Sequence, residues 1–124
     1  MKLIYLASPY SKYYEGRMAA YMIVCDKAAE LMNKGYAVFC PIAHSHAIEV
    51  SSMEKVMDGD WWLKQDFAIL EKVDELHVYQ MPGWEDSYGV QHEIAYAENL
   101  GIPVKYIPFD KKKYDARQNS REAP

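Results

Sequence analysis

Ser87, Gly89 and Glu93 fall within the seven-residue stretch Ser87-Tyr88-Gly89-Val90-Gln91-His92-Glu93, which joins a hydroxyl, an unhindered backbone and a carboxylate. A glycine lets a ligand approach the main chain closely. A helix N-terminus offers free N–H groups to an anion. A carboxylate can serve as nucleophile or as general base. Glu93 lies three residues after Val90 and four before Ala97, flanking the apolar stripe that Val90, Ile94 and Ala97 mark. It is either a first-turn acid favoured by the helix dipole or a functional acid facing a cleft. Asp66 presents the same choice, because it stands four residues after Trp62 and four before Leu70 on the border of an apolar face. Asp74 reads as a turn or capping acid.

A second polar group, Ser8, Tyr10, Ser11 and Arg17, follows the first apolar run of the chain. The guanidinium fork of Arg17 suits a phosphate; the plainer reading is a solvated helix charge. His44 and His46 have the spacing of a metal pair. A zinc site needs three or four ligands, and nothing in the sequence joins these two to His77 or His92. No metal and no cofactor are expected.

The elements that must position these residues alternate. Leu3–Ala7 is a continuous apolar run, as for a strand buried on both faces, and Ser8-Pro9 ends it. A helical pattern follows, with Met18, Tyr21, Met22, Cys25, Ala28, Ala29 and Met32 expected inward and Asp26, Lys27, Glu30 and Lys34 outward. Gly35 stops it. Tyr36–Cys40 reads as a second strand, ended by Pro41. The stretch from 42 to 59 is ambiguous, a loop with a short helix. A second long helix is expected from about Asp60 to Lys72, a third strand over Glu75–Gln80, a loop over 81–86, and a third helix stopped by Gly101. A fourth strand follows over Ile102–Ile107. Strict alternation predicts an α/β domain with a parallel sheet and helices on both faces. This is a Rossmann-like or flavodoxin-like arrangement with strand order 2-1-3-4. Ligands of such sheets bind beyond the carboxyl ends of the strands where the order reverses, here between the first and third strands. The loops 8–17 and 81–93 would meet there.

The totals set limits. A chain of 124 residues, half of them hydrophobic, suits one domain with its own core. Residues 1–109 are expected to form it, and the polar stretch 110–124 to be a frayed tail. A net charge of −4 gives no broad electrostatic reason to bind nucleic acid. Cys25 and Cys40 read as core thiols. The apolar N-terminal run is too short for a signal or a membrane span, so a cytoplasmic protein with no membrane partner is expected.

Leu3-Ile4-Tyr5-Leu6-Ala7-Ser8, Asp66 through Asp74, and Ser87-x-Gly89-x-x-x-Glu93-x-x-x-Ala97 followed by Gly101-Ile102-Pro103 occur in this order along the chain. Together they resemble the nucleoside 2-deoxyribosyltransferase superfamily over about residues 1–107, and within it a small uncharacterised branch, a domain of unknown function. The resemblance implies that Glu93 attacks the anomeric carbon of a deoxyribose, that Asp66 protonates the leaving base, and that Tyr5 orients the nucleophile. A carboxylate in that role is expected to be ionised at neutral pH. Ser87 stands where enzymes acting on free nucleosides usually carry aspartate; the deoxynucleoside 5′-monophosphate N-glycosidases of the superfamily have serine there. The resemblance therefore implies a phosphate cradle of Ser87, Arg17 and Ser8 or Ser11, with Tyr10 and Gly89 beside it. His44 or His46 would contact the base. Trp61 and Trp62 either stack on it or serve the core or a subunit interface. The sequence departs from the pattern at Gln91, His92 and Ala95. The expected partner is a small nucleoside or nucleotide, and the expected assembly is a homodimer or larger. A nucleotide sensor without turnover, using the same cleft, is the alternative; a protein-interaction domain is a third reading.

Overall fold

The computed structural model describes residues 1–53 and 58–122. Residues 54–57 and 123–124, where the ambiguous stretch and the polar tail run on, lie outside them. The elements follow one another as β1 (Leu3–Ala7), α1 (Arg17–Asn33), β2 (Ala37–Phe39), α2 (Pro41–Ser51), α3 (Gly59–Leu70), β3 (Glu75–Gln80), α4 (Tyr88–Asn99), β4 (Val104–Pro108) and α5 (Lys111–Glu122). A single 3-10 turn, Trp84–Asp86, precedes α4. The four strands form one parallel sheet in the order β2-β1-β3-β4. The two central strands are buried almost throughout; β1 carries the unbroken apolar run that suits this, whereas β3 buries the polar pair Glu75 and His77, bonded at 3.0 Å.

Alternation along the strands divides the core. Leu6, Tyr79 and Met81 point to the face covered by Ala20, Ile23, Val24, Ala28 and Leu31 of α1. Tyr5, Ala7, Leu76 and Val78 point to the other face, beneath Leu70 of α3 and Val90, Ile94 and Ala97 of α4. Tyr5 and the inner stripe of α4 thus share one layer.

The inward face expected for α1 is corrected. Met18, Met22 and Met32 are exposed. The helix has two apolar stripes, and branched Ile23 and Val24 with Leu31 occupy the sheet side, where their shape packs closely. The tail is corrected too. Residues 111–122 are helical. Asp110 accepts from the Lys113 N–H at 3.2 Å, and Arg117 bonds Asp26 of α1 at 2.9 Å. Phe109 and Tyr114 pack on the α1-side core. The ambiguous 42–59 stretch holds α2, begun by Pro41 at a position where a missing N–H costs nothing.

The loops after β1 and β3 touch at Gly83, which has a φ of 94°. A Cβ there would lie 2.4 Å from the carbonyl oxygen of Lys12, so the two loops close on each other only because this residue has no side chain. Gly83→Ala is expected to lower stability by about 2 kcal/mol, from left-handed strain plus the backbone clash. A fall of several degrees in melting temperature checks this, and an unchanged one would show that the loops separate freely.

Candidate active site at the β1–β3 switch point

A cavity of about 330 Å³ opens beyond the carboxyl ends of β1 and β3, a volume in the range of small-molecule sites. Its walls come from four places: the β1 loop and the start of α1, the face of α2, the N-terminal half of α3, and the first turns of α4. Among the candidates from sequence, Ser8, Tyr10, Ser11, Arg17, Asp66, Ser87, Gly89 and Glu93 all line it. Tyr5 is wholly buried and reaches the cavity through Glu93.

The centre is the Tyr5–Glu93 pair. The Tyr5 hydroxyl donates to Glu93 Oε2. The other oxygen, Oε1, lies toward Gly89, where a Cβ would be 4.0 Å away. Glu93 is 5% exposed, and its position on α4 follows from spacing, since Val90, Ile94 and Ala97 turn that helix against the sheet. Asp66 reaches the same space from α3, where Leu63 and Leu70 set the buried stripe. Its Oδ1 is buried and has no protein partner among the described residues, and the same holds for Ser8 Oγ. Buried polar atoms are normally satisfied. Ser8 and Asp66 both line the cavity, so its wall carries unused hydrogen-bonding capacity.

Burial sets the protonation of this centre. Desolvation pushes Glu93 up to about 8; the Tyr5 hydrogen bond opposes this and the nearby Asp66 charge adds to it. Asp66 is pushed up to about 7, also by burial. The Tyr5 hydroxyl rises well above its ordinary value through burial and the two carboxyls. The expectation of a fully ionised Glu93 at neutral pH is therefore corrected. Near neutral pH Glu93 keeps its proton and Asp66 stands close to its midpoint, because charge in a dry pocket is disfavoured. Perturbation of this kind in a cleft accompanies functional sites.

The rim is less symmetrical. Ser87 caps α4, its Oγ accepting from the Val90 N–H at 3.3 Å, so its own O–H stays available to donate. The Arg17 guanidinium lies 5.5 Å from the Tyr10 ring centroid. The Tyr10 hydroxyl bonds Nδ1 of buried His46 at 2.6 Å, and His46 stacks on Tyr21. His44 is not brought to the cavity: it is exposed and packs against Phe39. Of the tryptophans, Trp62 lines the wall and Trp61 does not.

Sequence reasoning passed over Ser45, Glu49 and Asp58, which also line the cavity. Ile42, Ser45 and Glu49 recur at helical spacing after a proline that can begin a helix, and that signal would have placed them together. Asp58 is the N-cap of α3, accepting from the Trp61 N–H at 2.8 Å, a role that Asp-x-x before a helical pattern announces. A larger hollow of about 730 Å³ lies between α1 and α5. It is rimmed by Asp26 and Glu30, which already pair with Arg117, and it is remote from the buried carboxyls. Among the described residues no three His, Cys, Asp or Glu side chains could together hold a metal ion, and no helix is long and apolar enough to cross a membrane.

Fold and site together define an α/β protein with a buried carboxyl pair at the switch point of its sheet. The solved structure of a 2-deoxyribosyltransferase from the psychrotolerant bacterium Bacillus psychrosaccharolyticus has this fold. It superposes with a TM-score of 0.55 at 22% identity, over 86% of this chain and 72% of that one. The chain matches the family described as Domain of unknown function (DUF1937) over residues 2–108, and it belongs to that family. No curated protein matches it.

Proposed function

We propose that the protein cleaves or transfers at the N-glycosidic bond of a deoxynucleoside or its 5′-monophosphate, with Glu93 as nucleophile. The observation that carries this reading is the convergence of Glu93, Asp66 and Tyr5 on one cavity from three separate elements. In the first step Glu93 Oε1 bonds to the anomeric carbon as the C–N bond breaks. The bond's electron pair goes to the base nitrogen, and Asp66 supplies the proton the leaving base needs. In the second step water, or another base, attacks the anomeric carbon, the ester C–O bond breaks to free the Glu93 carboxylate, and Asp66, now ionised, takes the proton of the attacking group.

The raised proton affinity of Glu93 fits this chemistry. Positive charge develops on the sugar in the transition state, and an adjacent charge of that sign favours the carboxylate. The Tyr5 O–H holds Oε2 and leaves Oε1 directed to the cavity, so the carboxylate acts from one orientation. The Ser87 O–H, the α4 N-terminus, Ser8, Ser11 and Arg17 would accept a 5′-phosphate or the sugar hydroxyls. The test is a panel of deoxynucleosides and their 5′-monophosphates, followed by chromatography for free base. Release from at least one member is expected. Tight binding with no release from any would replace this reading by a nucleotide-binding module.

A further inference from the structure

On the glycosidic reading above, the base must lie beside Asp66, since that carboxyl protonates it. Trp62 stands four residues earlier on α3 and so on the same face, one turn nearer the helix N-terminus. Its indole lines the cavity, and its one polar group is already engaged: Nε1–H donates to Glu49 Oε1 of α2 at 2.7 Å. What the indole presents to a ligand is therefore a flat apolar face, which suits a base better than a sugar.

We propose that Glu49, fixed by Trp62, reads the hydrogen-bonding edge of the base and selects bases carrying an exocyclic amino group. A carboxylate bonded to the indole N–H sits at the edge of that ring. A base stacked on the ring brings its own edge to the same place. Among the described residues Glu49 Oε2 has no hydrogen-bond partner, and a carboxylate only accepts. It therefore pairs with N–H donors, as acidic side chains do with the cytosine amino group, and meets a carbonyl oxygen with repulsion. Asp66 Oδ1 and Ser8 Oγ leave hydrogen-bonding capacity unused in the same cavity wall. Glu49 thus adds a specificity-determining contact at the outer end of the α3 wall, above the acid that serves the leaving nitrogen.

The experiment compares ligands that differ only by an amino group or an oxygen at one position: cytosine with uracil deoxynucleosides, and adenine with hypoxanthine deoxynucleosides, each with and without the 5′-phosphate. Binding is measured by calorimetry on Glu93→Gln protein, so that turnover does not consume the ligand, and base release is measured on protein with Glu93 intact. The amino member of each pair is expected to bind about ten- to a hundredfold more tightly. In Glu49→Gln, the amide oxygen takes the Trp62 N–H and the amide nitrogen turns a donor to the cavity. The preference is then expected to vanish or reverse toward the oxo member. Trp62→Phe, which keeps the stacking face and removes the anchor, is expected to weaken both affinity and discrimination. Equal binding within each pair, or a preference unmoved by Glu49→Gln, overturns the proposal. Discrimination in binding without base release from any ligand would leave Glu49 as a base reader and remove the glycosidic reading instead. No binding by any member removes both.

Discussion

Replacing Glu93 with glutamine is expected to suppress base release at least about a thousandfold and, at the same time, to make the protein more stable. Both follow from one property, the burial of a carboxyl in a pocket without a cationic partner among its described contacts. The group holds its proton up to about 8 in the folded protein, against about 4.3 in an unfolded chain. Between those values the folded state binds more protons than the unfolded one, so stability falls as pH rises through that window. Glutamine does not titrate and keeps an oxygen for the Tyr5 hydroxyl. Its advantage should be small near pH 4, on the order of 3 kcal/mol at neutral pH and larger above 8. Melting curves of the two proteins from pH 5 to 9 check this. Parallel curves would mean that Glu93 is ionised at little cost, and a glutamine variant that still releases base would end its assignment as nucleophile.

The second large effect concerns pH and the leaving group. On the proposed mechanism the productive form needs Glu93 deprotonated and Asp66 protonated. Since the two sites titrate at about 8 and about 7 and the Asp66 charge raises Glu93, the single proton of that form belongs to the pair. Base release should follow a bell with its maximum between pH 7 and 8, falling on the acid side as Glu93 gains its proton and on the alkaline side as Asp66 loses its own. Asp66→Asn is expected to cost about a hundredfold or more and to abolish the alkaline limb. The acid limb should stay in place or move slightly to higher pH, because Asp66 is already uncharged in the productive form and no longer competes with Glu93 to release the first proton. With an N7-methylated purine, which departs without needing a proton, the loss should shrink. An Asp66→Asn defect that is equally severe for that ligand would show that Asp66 does not act as the acid.

Local signals in the sequence had unequal reach. Leu3–Ala7 was legible because a strand buried on both faces is continuously apolar, and Glu75–Gln80 because Leu76, Val78 and Tyr79 stand between two turn segments. The parallel sheet followed from the alternation of elements, and its order 2-1-3-4 is the common one for such sheets. Glu93 and Asp66 were legible as acids at the edges of apolar stripes, which is where two helices over one sheet face turn residues toward each other. Their protonation was not legible, since it depends on dryness that only the packed structure creates. The methionines of α1 misled because hydrophobicity alone cannot rank two apolar stripes on one helix; packing of Ile23, Val24 and Leu31 against the sheet decides that. The α2 wall was missed for a related reason. Ser45 and Glu49 are polar, so a helix that turns them inward shows little amphipathic contrast, and the spacing His44-x-His46 does not show which of the two is exposed. The helix α5 has a polar composition throughout, and long-range pairs such as Arg117 with Asp26 hold it.

The contact between Tyr5 and Glu93 joins residues 88 positions apart, and it has a consequence for the order of events as the chain is made. Synthesis proceeds from the N-terminus at roughly 5–20 residues per second. β1 leaves the ribosome first, yet it remains an edge strand until β3 arrives to lie beside it. The acid of α3 comes next, and the carboxyl of α4 comes almost last of the core. A nascent chain therefore carries the tyrosine and the acid for some seconds with nothing to activate. On the proposed mechanism reactivity arises in one late event, when α4 docks and closes the pocket, so a copy that stops short of α4 would have no nucleophile.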